Sequence, residues 1–442
     1  MSQRGGVATA PAARSADVQA VRQPLLERPL TSYYLVLGSA ALLTTIGLVM
    51  VLSASSVTAY VRTGSSYYYF VRQSIGVLLG LPAMWIAMRL PVRVYRWLGY
   101  PLLLFSVALL LLVPFVGSSA YGAKRWLDLG VIQIQPSEPA KLALVLFGAD
   151  LLCRKERLLD QWRHLLVPLL PVFTVLAALV MLQPDMGTTI VLLAITLSLL
   201  WIIGAPGRLF GVLSIAAASL MAVMIVVEPY RLRRFAGFWN PWADQLHSGY
   251  QAAQGMLTLA SGGWWGLGLG ASRQKWSYLP NQYTDYIFAI IGEELGLIGT
   301  IAVVGLFGAL GFAGIRIARR SRDPFCQLAA GAVTCWLLAQ ALVNIGAVVG
   351  LLPITGIPLP LVSYGGSALI PSMFAVGMLA AFARREPGAA AALAARGPSP
   401  FARVLPGPLR GATGRFRRGG GARDGRSATA RRSRRRQSSR RH

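Results

Sequence analysis

Apolar residues in this chain come in long unbroken runs, not in the alternation of a strand or the half-apolar stripe of a soluble helix. The runs fall at about 33–53, 73–90, 97–116, 138–152, 165–182, 188–203, 208–228, 285–314, 326–350 and 365–383. A helix needs roughly 20 mostly apolar residues to cross the hydrocarbon layer. The pattern therefore predicts ten transmembrane helices in an all-α polytopic integral membrane protein. An even number of spans puts both termini on one side.

The charged turns say which side. Arg89, Arg93 and Arg96 lie in one turn, Arg154, Lys155, Arg157 and Arg163 in a second, and Arg316, Arg319, Arg320 and Arg322 in a third. These turns alternate with connections almost free of charge. Basic loops stay on the cytoplasmic side, so both termini are read as cytoplasmic. The loops 54–72, 117–137, 183–187, 229–284 and 351–364 then face outward. The 229–284 loop, between spans seven and eight, is by far the largest, and loops of that length usually carry function. In the last loop Pro353, Pro358 and Pro360 forbid a continuous helix although the segment is almost wholly apolar. Irregular backbone at membrane depth is tolerated beside a cavity, so this segment reads as a re-entrant cavity lining.

Composition agrees and then adds a complication. Of 442 residues, 55% are hydrophobic and only 13% charged, which excludes an ordinary water-soluble enzyme. The net charge of +27 is concentrated: residues 384–442 hold 17 Arg against 2 acids, and so +15 of it. Residues 1–32 read as a disordered cytoplasmic arm, 33–383 as the membrane domain and 384–442 as a disordered Arg-rich cytoplasmic tail. Tethered to a membrane, such a tail suits anionic lipid or an acidic protein better than nucleic acid. Cys153, Cys326 and Cys335 form no disulfide framework, and the Cys and His positions lack zinc-ligand spacing.

The candidate chemistry lies on the outer side. Lys124, Arg125 and Trp126 precede a short amphipathic stretch. Ser137 and Glu138 then open span four, with Lys141 one turn further as an i,i+3 partner. Asp185 stands where it caps span six. Arg231, Arg233, Arg234, Arg273 and Lys275 place five basic residues in the large loop, on the face where positive charge is normally sparse. An anionic ligand such as a phosphate or pyrophosphate explains them better than topology does; contact with lipid headgroups is the alternative. Asp285 stands at the mouth of span eight. Glu293 and Glu294 would lie about 12–13 Å deeper at the helical rise. Acids at that depth point into the bundle, and Gln340 and Asn344 in span nine are their expected partners in a structural polar cluster.

Five segments in order, GAKRWLDLG…QPSEPAK, QPDMGTT, YRLRRFAGFWNPWAD, YTDYIFAIIGEELG and LLPITGIPLPLVSYGGS, resemble the SEDS family (shape, elongation, division, sporulation). MVLSASS and RRFAGFWNPW are similar to its division branch more than to its elongation branch. The resemblance implies a peptidoglycan glycosyltransferase that polymerises lipid II on the outer face of the cytoplasmic membrane, at the division septum. It implies a class B penicillin-binding protein and other divisome proteins as partners. It carries the catalytic aspartate onto Asp285 and substrate contacts onto Lys124, Arg125, Trp126, Glu138, Lys141, Arg231, Arg233, Arg234 and Ser363. A divalent cation, Mg or Mn, is often implicated in such catalysis, though no ligand set is evident in the sequence. Tyr283 stands where the family commonly has His, and Leu361 and Ala368 replace a Phe and a Ser. A lipid II flippase and an elongation-type polymerase are the alternative readings.

Overall fold

The computed structural model describes residues 28, 30–120, 123–128, 133–155, 162–227, 238–243, 249–276, 278–389 and 392. The N-terminal arm up to residue 27 lies outside the described residues. So does the tail from Leu393.

Each expected span is a helix: α1 Thr31–Thr63, α2 Tyr68–Arg89, α3 Val92–Val116, α4 Ser137–Arg154, α5 Trp162–Met181, α6 Met186–Ile202 and α7 Gly207–Val227. The outer-loop helix α8 (Tyr250–Ser261) follows, then α9 Ile287–Arg320, α10 Pro324–Val348 and α11 Gly366–Ala383. Among the described residues six helices, α1, α2, α3, α9, α10 and α11, are long and apolar enough to cross a membrane. Helix α4 carries Glu138, Lys141, Asp150 and Arg154, and the apolar lengths within α5, α6 and α7 are shorter.

Local chemistry sets the helix ends. Asp323 accepts a hydrogen bond from the Phe325 N–H at 2.9 Å, with Pro324 in the first turn, where its missing donor costs nothing. Asp185 caps α6 through the Thr188 N–H at 3.1 Å, as its position predicts. Close packing uses small residues: a side chain on Gly76 of α2 would begin 3.0 Å from the Gly366 Cα of α11. This is the tight approach that membrane helices favour. Helix α4 is buried on nearly every face.

Three expectations are corrected. Helix α1 runs on to Thr63, so the loop expected at 54–72 shrinks to the few residues before Tyr68. Residues 54–63 contain neither Pro nor Gly, and the extension is held by Gln282, whose amide donates to Ala54 O at 2.9 Å and Thr58 Oγ1 at 3.1 Å. The chain is not purely helical either. Strands β1 (Ser118–Ala120), β2 (Ala123–Asp128) and β3 (Gln133–Ile134) form a small antiparallel sheet, in which Ala120 pairs with Ala123 and Leu127 with Ile134.

The third correction concerns the acids of span eight. Gly296 (φ 68, ψ −164) breaks α9, and the glycine-rich turn after α8 docks into the break. Leu267 N–H donates to Glu293 O at 2.9 Å, Gly268 N–H to Glu294 O at 3.0 Å and Leu297 N–H to Gly263 O at 2.9 Å. Glu293 and Glu294 therefore meet this turn and α1 rather than Gln340 and Asn344. Ser272 Oγ donates to Glu293 at 2.5 Å, and Ser53 Oγ to Glu294 at 2.6 Å.

Candidate active site

Asp285 sits just before α9 on a segment whose backbone is clamped at three successive residues. Tyr283 O accepts from the Tyr364 N–H at 3.0 Å, Thr284 O from Ser363 Oγ at 2.6 Å and Asp285 O from Asn344 Nδ2 at 2.8 Å. The same Asn344 nitrogen donates to Ile357 O at 2.8 Å, and Ser363 Oγ accepts from the Leu359 N–H at 2.8 Å. Gln73 of α2 closes the set, donating to Ser363 O and accepting from the Gly365 N–H, both at 3.1 Å. The proline-broken segment 352–365 is thus held to α2, α10 and the Asp285 segment by side chains that supply what a helix would have supplied.

The Asp285 side chain is half-buried and opens into a cavity of about 740 Å³. Arg125 and Trp126 of β2, Arg62 of α1 and Arg72 of α2 all line it. Arg125 is aimed by donating to Gln183 O at 3.0 Å and to Pro184 O, so the QPDMGTT segment orients it. Between carboxylate and guanidinium stands Gly356 (φ +74): a side chain there would begin 3.8 Å from Asp285 Oδ2 and 3.9 Å from an Arg125 terminal nitrogen. A carboxylate and a guanidinium therefore face one small space.

Aromatic rings complete the lining. Tyr69 stacks on Tyr283 with centroids 4.6 Å apart, and Tyr364 meets both edge-on at 5.2 and 5.7 Å. The Arg72 guanidinium lies 4.9 Å from the centre of the Tyr68 ring. Burial raises the Tyr364 phenol above its ordinary range, with Arg72 pulling less strongly the other way.

Of the residues expected to meet substrate, Asp285, Arg125 and Trp126 line this cavity, while Lys124, Glu138, Lys141 and Ser363 do not. Lys124 is exposed, and its Nζ donates to Pro114 O at 3.4 Å. Ser363 braces the wall, with both hydrogen bonds turned inward. Glu138 and Lys141 form a buried ion pair at 2.8 Å behind the wall. Lys141 also donates to Gln340 Oε1 at 2.8 Å, and Gln340 Nε2 reaches Pro358 O at 3.0 Å, which ties the pair to the proline-broken segment. Arg231, Arg233 and Arg234 lie outside the described residues. Arg62, Arg72, Tyr69 and Tyr364 were missed, although Arg62 and Arg72 broke the charge rule on an outer connection and were open to notice.

Asp285 is the one carboxylate among the described lining residues, and no group of three His, Cys, Asp or Glu side chains suited to a metal occurs among the described residues. A magnesium ion takes one or two carboxylates and draws its other ligands from water and substrate phosphates. Asp285 therefore fits a ligand of such a cation, which would offset charge on a pyrophosphate; the steps below use the chain's own groups.

Comparison with known proteins now decides the family. The sequence profile of the cell-cycle proteins FtsW, RodA and SpoVE matches residues 33–387. The chain belongs to this family, the SEDS family. A probable peptidoglycan glycosyltransferase FtsW of Mycobacterium tuberculosis is 42% identical over 387 residues, covering 87% of this chain and 74% of its own length. The Escherichia coli O157:H7 protein of the same description is 40% identical over 355 residues, covering 79% and 84%. Among solved SEDS-like structures, a peptidoglycan synthase complex that coordinates polymerization and crosslinking aligns with TM-score 0.67 and 29% identity, over 79% of this chain and 97% of that one. The rod-shape-determining protein RodA of Thermus thermophilus aligns with TM-score 0.60 and 27% identity, over 80% and 97%.

Proposed function

We propose that this SEDS chain is a division-type peptidoglycan glycosyltransferase, which polymerises lipid II into glycan strands with a class B penicillin-binding protein as partner. The observation that carries the reading is Asp285, held by its backbone and facing Arg125 across Gly356 in a cavity that also holds Arg62 and Arg72. Glycosyl transfer from a lipid-linked pyrophosphate needs a base for the acceptor hydroxyl proton and positive charge at the leaving group. Asp285 takes the proton as the acceptor oxygen bonds to the anomeric carbon. The bond from that carbon to the pyrophosphate oxygen breaks, and the leaving group departs with the electron pair toward the arginines. A single displacement of this kind inverts the anomeric centre.

The topology belongs to the same proposal: ten spans, both termini cytoplasmic, and the cavity opening outward. Contacts among the basic turns support it. Arg96 and Arg154 both pair with buried Asp150, at 2.6 and 2.7 Å, and Arg320 lies 4.0 Å from Glu386. These groups gather at the opposite helix ends from the residues that line the cavity.

The test is polymerisation of lipid II by the purified protein in detergent, with and without the partner. Asp285→Ala and Asp285→Asn should both abolish glycan product. Undiminished polymer from both variants rules Asp285 out as the base. Detergent leaves no sidedness, so polymer formed there also separates an enzyme from a flippase.

A further inference from the structure

The exposed aromatic turn after α8 has no part in the cavity. Its Trp264 and Trp265 are 70% and 83% exposed, and Leu267 and Leu269 beside them 42% and 62%. Large apolar side chains are not left in water at this density without a reason. The turn is also rigidly presented: Gly263, Gly266, Gly268 and Gly270 all have positive φ, and its backbone is bonded into the break of α9.

That docking fixes the height of the tryptophans. Trp264 O accepts from the Ile298 N–H at 3.5 Å, so the turn lies level with the start of the second part of α9. From there Leu297, Ile301, Val304, Phe312 and Ile315 form one exposed apolar stripe down the helix. Gly305 and Gly308, each with open space beside it, continue the same face. The stripe ends near Arg319 and Arg320, the basic residues of the last turn. From Ile298 to Arg319 the helix rises about 32 Å, which matches a hydrocarbon layer of roughly 30 Å. If the arginines stand at one membrane surface, the Trp264–Trp265 turn stands at the other, where tryptophan is enriched because its ring is apolar and its N–H is not.

We propose that the glycine-rich turn 262–270 is an interfacial anchor, with Trp264 and Trp265 seated in the headgroup layer of the lipid bilayer. The occupant of this apolar surface is lipid, because the patch is continuous with the exposed stripe of α9 and lies one bilayer thickness from that helix's basic end. Ser272 and Arg273 follow the turn directly and bond to Glu293, so the anchor sets the height at which the 280–285 segment meets the membrane surface.

The test reads lipid contact directly and needs no turnover. The full chain is placed in vesicles of phosphatidylcholine and phosphatidylglycerol, either unbrominated or brominated near the headgroup or near the chain end. Because the chain has 11 tryptophans, the signal is the difference between the parent and Trp264→Phe, Trp265→Phe and the double variant. Phenylalanine keeps the apolar surface, and each single variant yields its own difference if the double fails to fold. The emission lost in the variants should be quenched at least twofold more by shallow bromine than by deep bromine. Lack of quenching by either overturns the proposal, as does stronger quenching by deep bromine. Loss of the shallow quenching when a penicillin-binding protein is reconstituted alongside also overturns it, since the surface would then belong to a protein partner.

Discussion

Gly356→Ala tests the catalytic geometry at its narrowest point. The residue sits at φ +74, where an L side chain costs roughly 1–2 kcal/mol. The new methyl would start 3.8 Å from Asp285 Oδ2 and 3.9 Å from an Arg125 nitrogen, at ordinary contact distance. It therefore clashes with neither group and instead occupies the space between them. Gly64 is the control: its φ is +75 and nothing lies within 4 Å of the position its side chain would take. Gly64→Ala and Gly356→Ala should lose similar stability, within about 1 kcal/mol of each other in detergent melts. Only Gly356→Ala should lose activity. A displacement of about 1 Å between reacting groups costs on the order of 100-fold, and kcat/KM for lipid II polymerisation should fall by 10-fold to 100-fold on that scale. If Gly356→Ala polymerises as fast as Gly64→Ala, substrate does not pass between Asp285 and Arg125, and the proposed pairing of base and leaving-group cation fails.

Two further substitutions probe the wall behind the site. Asn344→Leu removes donors to Asp285 O and Ile357 O at once, which should cost about 2–4 kcal/mol by melting and lower activity further than the stability loss alone explains. Unchanged turnover would show that this clamp does not position Asp285. Lys141→Met leaves the carboxylate of Glu138 buried without its cation, a loss of roughly 3–5 kcal/mol. Combining it with Glu138→Gln should restore much of that stability, and a double variant no more stable than Lys141→Met would refute the account of the pair.

The helices were legible because run length is a nearly sufficient signal in a bilayer, where the backbone can satisfy itself only in helices. What hydropathy missed are the places where the chain leaves that regime. The Ser- and Thr-rich end of α1 continues as helix because Gln282, more than two hundred residues away, bonds to its side. The hairpin of β1 and β2 alternates over too few residues for its period to stand out. Gly296 is one glycine among 47, and nothing local marks it as the one that breaks a helix and accepts a loop.

The site was half legible for a related reason. Resemblance singles out Ser363, Glu138 and Lys141 together with Asp285, but it does not distinguish a group that meets substrate from one that holds the wall. Bonding in the structure separates only the residues that line the cavity from those tied to its backbone. Pro353, Pro358 and Pro360 deprive the 352–365 segment of donors and of helical geometry, leaving carbonyls that need partners. Pro358 O is met by Gln340, Ile357 O by Asn344 and Ser363 O by Gln73. The polar residues that interrupt the apolar runs of α2 and α10 thus serve irregular backbone elsewhere, not the acids of span eight. Gln340 and Asn344, one turn apart on α10, are the helix-side counterpart of Pro358 and Ile357. An amide pair buried in an apolar helix is therefore a sequence signal for a broken segment beside a cavity, and in this chain that segment forms the wall that Asp285 faces.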